Sequence, residues 1–98
     1  MKMPVHFVVE MFMDRIAACK VYQKENYTDA SPWLYHKQSR RVHTLMHPDS
    51  LRLLERLLKM LAVRGEEETF AYVRKILRHD RQQRLREFLH RNEIKKKR

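Results

Sequence analysis

The sequence has little of what tight turns, disulfides and membrane spans require. Its 98 residues include one glycine, one cysteine and three prolines. The single Cys19 cannot form an internal disulfide, which argues for a reducing compartment. Because turn-forming residues are so few, long helices fit this composition better than hairpins do.

Long apolar runs are also missing. No segment approaches the roughly 18 apolar residues of a membrane span. Near the N-terminus, Glu10, Asp14 and Arg15 interrupt what would be the hydrophobic region of a signal peptide. We therefore expect a cytoplasmic location.

Charge of one sign dominates. Lysine and arginine number 22 against 12 aspartate plus glutamate, so the net charge is +10 with neutral histidines. Such a chain attracts nucleic acid, anionic membranes and acidic proteins alike. A chain of this size forms one domain and is too small for a deep active-site cleft of its own.

The first predicted helix is apolar on two faces. Pro4 suits its first position, and one stripe repeats at helical spacing. That stripe contains Val5, Val8, Val9, Phe12, Ile16 and Cys19. A second stripe on the opposite side contains Phe7, Met11, Ala18 and Val21. A helix of this kind is usually buried between neighbours, so we predict a homodimer or a separate partner chain covering it.

A polar loop and a short helix follow. Residues 23–31 indicate the loop, Ser31 suits an N-cap, and Pro32 suits the first turn of the short helix. The basic segment Lys37–His43 is predicted to close that helix.

Two further helices are predicted on either side of Gly65. Pro48 opens the third helix, and Gly65 is a typical C-terminal stop. Its apolar face contains Leu51, Leu54, Leu57, Leu58 and Leu61. Glu66 begins the fourth helix, whose face contains Phe70, Val73, Ile76 and Leu77. Beyond Leu77 the apolar pattern thins, so this helix is expected to continue without being packed.

The predicted fold class is therefore all-α. We expect an irregular bundle of three main helices plus one short helix, with a basic C-terminal helical extension. The helical domain is assigned to residues 1–77 and the extension to residues 78–98.

The extension holds nine lysines or arginines against three acids, a net charge of +6. Its basic residues are Arg78, Arg81, Arg84, Arg86, Arg91, Lys95, Lys96, Lys97 and Arg98. Two interpretations stay open. The extension binds a polyanion through phosphate-type contacts without sequence specificity, or it is a solubilising, disordered end.

Three segments carry a resemblance to a known family: MPVHFVVEMFMDRIAACKVY, YTDASPWLY and MHPDSLRLLERLLKMLA. Over roughly Met3 to Leu77 the chain resembles the C-terminal half of an uncharacterised bacterial and phage helical family, sometimes labelled catalase. Longer members carry upstream histidine motifs similar to those of HD-type metal-dependent phosphohydrolases. The resemblance implies that Asp14 completes their metal site. This chain lacks those upstream motifs, and no haem-binding motif supports the catalase label.

Asp14 also stands out on physical grounds, because it lies within the second apolar stripe of the first helix. A buried carboxylate needs a cation, a metal or several hydrogen-bond donors. Two interpretations stay open. Asp14 forms a structural ion pair or cap, for example with an arginine of a later helix, or it is a metal or catalytic remnant.

Other chemistry-bearing residues favour structural roles. The dipeptide His79-Asp80 repeats that of HD enzymes but is interpreted as solvated surface. The six histidines lack zinc-site spacing, and Cys19 is predicted to be a buried small hydrophobe. Four of the nine aromatic residues are expected to be core and loop anchors, with a base-stacking surface as the alternative. They are Tyr22, Tyr27, Trp33 and Tyr35.

Two functions follow. The first is a non-enzymatic helical interaction module, truncated relative to its family, whose basic tail binds nucleic acid or an acidic partner. The alternative is half of an HD-like metal-dependent phosphohydrolase that contributes Asp14 to a metal site completed by another chain. The chain is not expected to be an enzyme on its own, and a divalent metal is expected only with a partner.

Overall fold

The computed structural model describes residues 4–38 and 46–96, with side chains up to residue 92. Helix α1 is Val5–Gln23, α2 is Ser31–Gln38 and α3 is Pro48–Lys96. A 3₁₀ turn, Lys24–Asn26, follows α1. No strand occurs among the described residues, and the predicted all-α class is confirmed. None of the described helices is both long and apolar enough to cross a membrane.

The predicted helix starts are close to the observed ones. Pro4 precedes α1, and its carbonyl accepts the N–H groups of Phe7 at 3.1 Å and Val8 at 3.3 Å. Pro48 is the first residue of α3, as predicted. His47 precedes it, and the backbone carbonyl of His47 accepts the N–H of Leu51 at 3.0 Å. The imidazole Nδ1 of His47 accepts the N–H of Asp49 at 3.1 Å. The imidazole therefore caps this helix.

The loop and the start of α2 differ from the prediction. Residues 24–26 form the 3₁₀ turn rather than open loop. The Ser31 hydroxyl accepts the N–H of Thr28 at 3.0 Å, so it is bonded to the preceding turn and not to α2. The first helical bond instead runs from the N–H of Leu34 to the carbonyl of Ala30. Of the segment predicted to close α2, residues 39–43 lie outside the described residues.

Gly65 divides α3 into two parts, which correspond to the third and fourth predicted helices. Its φ of 84° and ψ of 175° are not helical. Glycine adopts positive φ without steric cost, whereas a residue with a Cβ is strained there. Glu66 then begins the second part, as the acidic run had indicated.

The core lies between the inner face of α1 and both parts of α3. Its buried residues are Val8, Val9, Phe12, Ile16, Leu54, Leu57, Leu58, Leu61 and Val73. The predicted first stripe of α1 and the leucine face of α3 are thus confirmed. Each such side chain contributes about 1.5–3 kcal/mol of transfer free energy when buried.

The second stripe of α1 is not buried by the described part of the chain, and the partner predicted to cover it stays a prediction. Phe7 and Val21 are 46% and 69% exposed, Ala18 is exposed, and Met11 is half-buried. Within the described chain α3 packs against the inner side of α1, and the core therefore covers that side alone.

The end of α3 projects from this core. Every side chain from Arg81 to Arg91 is exposed, so the prediction that the helix continues unpacked is confirmed. The molecule measures 60 × 29 × 20 Å, consistent with a bundle that carries a protruding helix. We call residues 78–96 the arm.

Candidate functional site

The arm presents five arginines to solvent. Arg78, Arg81, Arg84, Arg86 and Arg91 are all exposed. A helix rises about 1.5 Å per residue, so they span roughly 20 Å. The side chains of Lys95 and Lys96, and all of Lys97 and Arg98, lie outside the described residues.

Little within the described part of the chain neutralises these cations. Arg84 Nη2 lies 3.1 Å from Asp80 Oδ2, one helical turn away, and this pair is largely exposed. The other four described arginines form no ion pair with described residues. Because exposed pairs of this kind contribute little, most of the arm's charge is available to a ligand.

A shallow polar depression lies on one side of the arm. It has a volume of about 260 Å³ and is lined by His79, Gln82, Gln83 and Arg86. These side chains offer hydrogen-bond donors beside a cation. His79 is exposed, which agrees with its interpretation as solvated surface, and Asp80 is half-buried beside Arg84.

Asp14 is exposed in the described part of the chain, so the chain by itself does not bury this carboxylate as expected. It lies on the outer side of α1, opposite the core residues Phe12 and Ile16. The described residues contain no group of three or more His, Cys, Asp or Glu side chains that could hold a metal ion. Residues 4–38 and 46–92 therefore do not by themselves supply the ligands of a metal site.

A buried pair between α2 and α3 was not foreseen. His36 is fully buried, and its Nε2 lies 3.5 Å from Glu55 Oε2. Trp33 stacks on the imidazole at 5.8 Å between ring centroids, and Lys59 Nζ lies 5.1 Å from the Trp33 ring centroid. This arrangement ties α2 to α3 and is structural in character. Helical periodicity carries no signal for such a contact between distant residues.

A second cluster joins the end of α1 to the Gly65 junction. Lys20 Nζ lies 2.7 Å from Glu66 Oε1 and 5.4 Å from the Tyr27 ring centroid. Burial raises the pKa of Tyr27 to about 12, helped by the negative charges of Asp29 and Glu66. The phenol is therefore neutral at physiological pH and is not a general base.

Cys19 is buried, as predicted. Burial raises the pKa of its thiol, although nearby Arg15 opposes that shift. Thiolates, not thiols, are nucleophiles, so this environment does not activate it.

The aromatic residues divide between two environments. Tyr27 and Trp33 pack against the core, as expected of anchors. Tyr22 and Tyr35 are 85% and 57% exposed. They lie outside the arm, so these two tyrosines do not form one surface with its arginines.

Comparisons with known proteins identify one family. A model described as a family of unknown function, DUF5662, matches residues 1–60, which include α1, α2 and most of the first part of α3. The arm lies outside the matched residues. No curated protein and no solved structure gives a significant match. The bacterial or phage origin, the catalase label and the HD-like motifs stay predictions. Because the match covers more than half of its length, the chain belongs to the DUF5662 family.

Proposed function

We propose that this protein is a non-enzymatic interaction module whose arm binds nucleic acid. The observation that supports the proposal is the exposure of all five described arginines on a helix that projects from the core. A helix packed along its whole length offers one face to a ligand, whereas a projecting helix offers several.

The dimensions and chemistry favour nucleic acid over an acidic protein. A helix with side chains is about 10–12 Å wide, close to the roughly 12 Å width of the DNA major groove. Guanidinium groups bind phosphate oxygens in a bidentate fashion. Because phosphate contacts carry no sequence information, binding is expected to be independent of sequence.

The test is fluorescence anisotropy with a labelled 20-base-pair duplex and the matching single strand, at 50–200 mM salt. If all five described arginines contact phosphates of the duplex, log K falls with log salt with a slope of about −4 to −5. Replacing Arg84, Arg86 and Arg91 by glutamine is expected to reduce that slope by about 2–3 and to weaken all sequences alike.

A matched control removes three arginine charges from the first part of α3 instead of the arm. Arg52, Arg56 and Arg64 are exposed on the first part of α3, and their replacement by glutamine is expected to leave most of the slope intact. Equal losses in both triple variants would contradict a specific role for the arm. Tighter binding to polyglutamate than to the duplex would instead indicate an acidic protein partner.

A second candidate function depends on Asp14. Its exposure leaves the carboxylate accessible to histidines of another chain, as the HD-like alternative requires. In that case Asp14→Ala abolishes metal binding by the reconstituted pair of chains, while Glu10→Ala, on the same helix, does not. Unchanged metal affinity in Asp14→Ala would exclude this function.

A further inference from the structure

Two exposed stripes of this chain have the same helical spacing. The outer stripe of α1 consists of Phe7, Met11, Asp14, Ala18 and Val21. The arm stripe consists of Arg74, Arg78, Arg81, Leu85 and Phe88. Both advance by four, three, four and three residues, the repeat that allows two helices to pack as a coiled coil. Each member of the arm stripe is 67 positions after its counterpart on α1.

Apart from Met11, which packs in part against the core, the described part of the chain leaves both stripes exposed. In the arm stripe Leu85 and Phe88 are 56% and 59% exposed, and the three arginines are exposed. In the outer stripe of α1, the half-buried Met11 is the least exposed member. Exposed apolar patches of this kind mark interaction sites.

The two stripes are complementary when they run parallel and in register. Asp14 then faces Arg81, which pairs opposite charges. Ala18 faces Leu85 and Val21 faces Phe88, which pairs apolar with apolar. At the other end Phe7 faces Arg74, a cation–π arrangement, and the methylenes of Arg78 cover Met11.

Other registers lose this match. A shift of one heptad in one direction places Asp14 against Phe88, and a shift in the other places Ala18 and Val21 against arginines. The antiparallel arrangement that pairs Asp14 with Arg78 places Ala18 against Arg74 and Val21 against Ala71, and it separates Val21 from Phe88. Tyr22 and Leu89 are also 67 positions apart and extend the favoured register.

We propose that the outer stripe of α1 binds the arm stripe of a second copy of this chain, and that the exchange is reciprocal. A two-fold dimer contains this contact twice, which doubles the apolar area that it buries. Arg86 lies about 120° from the centre of the arm stripe on a helical wheel and remains available in the dimer, whereas Arg84 and Arg91 lie about 80–100° from it and flank the contact. The proposal therefore goes beyond nucleic-acid binding and does not depend on it.

Charge reversal tests the pairing of Asp14 with Arg81. The mass of the full chain is measured by sedimentation from 1 to 200 µM, without nucleic acid. We expect a dimer, whose Kd rises about tenfold in Asp14→Arg and in Arg81→Asp because each places like charges opposite each other twice. The double variant is expected to return to within about threefold of the original Kd.

The control for Asp14→Arg is Glu68→Arg, which makes the same charge change at an exposed position off both stripes. It is expected to leave the Kd unchanged. All the substituted positions are exposed, and unchanged circular dichroism confirms that the variants fold. A monomer at 200 µM would overturn the proposal, as would a double variant that dimerises no better than the single ones.

Cross-linking tests the register independently. In a Cys19→Ala background, Ala18→Cys with Leu85→Cys is expected to form a disulfide-linked dimer on mild oxidation. Ala18→Cys with Arg74→Cys, which are opposite each other in the antiparallel arrangement, is expected not to. Cross-linking through the second pair instead, or a ladder of larger species, would overturn the parallel, reciprocal dimer.

Discussion

Tyr27 joins the end of α1 to the junction between the two parts of α3. Its hydroxyl is buried without a hydrogen-bond partner among the described residues. A buried hydroxyl without a partner gives no stability, because folding removes its bonds to water. The contribution of Tyr27 therefore comes from its ring, which contacts the core and lies beside Lys20.

Tyr27→Phe is expected to change how stability depends on pH. The pKa of Tyr27 is about 12 in the folded chain and about 10 in the unfolded chain. Between these values the unfolded state loses the phenolic proton and the folded state keeps it, so stability falls as pH rises. In urea titrations the free energy of unfolding should fall between pH 9 and pH 11, and this fall should be about 1 kcal/mol smaller in Tyr27→Phe than in the original protein. Parallel curves for the two proteins would contradict the raised pKa.

At the scale of elements, α1 has one packed side and one open side. Phe12 is fully buried and Phe7 is 46% exposed, although both belong to the same helix. We expect Phe12→Ala to lower the free energy of unfolding by about 3–5 kcal/mol, because it leaves a cavity in the core. Phe7→Ala should change it by less than about 1 kcal/mol in the monomer. Denaturant titration at low protein concentration measures both, and equal losses would mean that both faces of α1 are packed.

The helices themselves were largely predictable from sequence. Pro48 marks the start of α3 because proline fixes φ near the helical value and lacks an N–H group. Gly65 marks its interruption because glycine adopts a positive φ without steric cost. The leucine face predicted one side of the core. The division at residues 77 and 78 into domain and extension stays a prediction.

The uncovered outer stripe of α1, the bonding of Ser31 to the preceding turn and the missed pair of His36 with Glu55 each have a physical cause. Periodicity shows that α1 has two apolar faces, but not how many neighbouring helices cover them. The burial of Asp14 was inferred from the second face, which the described part of the chain leaves open. The contact of His36 with Glu55 depends on how two helices meet in space. The exposure of the arm's arginines could be predicted from their charge and from the thinning apolar pattern. The match between the outer stripe of α1 and the arm stripe could be recognised only once the structure showed that both are exposed.

At the scale of the whole molecule, stability is expected to be uneven. The residues from Arg81 to Arg91 pack on nothing else in the described chain, whereas Leu54 to Leu61 form the centre of the core. Helices without tertiary contacts are marginal in water. In hydrogen exchange at 1 µM, we expect the arm's amides to open with free energies of about 0–2 kcal/mol, and those of the core segment only on global unfolding.

The same hydrogen-exchange experiment at a higher protein concentration tests the reciprocal dimer. At 200 µM the arm's amides should become more protected, because dimerisation gives the helix a packing partner. An arm that stays unprotected at both concentrations would contradict the dimer. An arm fully protected at 1 µM would indicate that it is packed within one chain.

The second part of α3 also behaves mechanically as a lever. Residues 66–77 are held against the core over roughly 18 Å, and residues 78–96 extend freely over roughly 28 Å. A sideways force on the tip therefore acts on the held part with a mechanical advantage of about 1.5, and a tilt of about 5° moves the tip by about 2.5 Å. Pulling on whatever the arm holds would load the Lys20–Glu66 contact and Val73 first, so under tension the molecule should yield at the Gly65 junction before the leucine core.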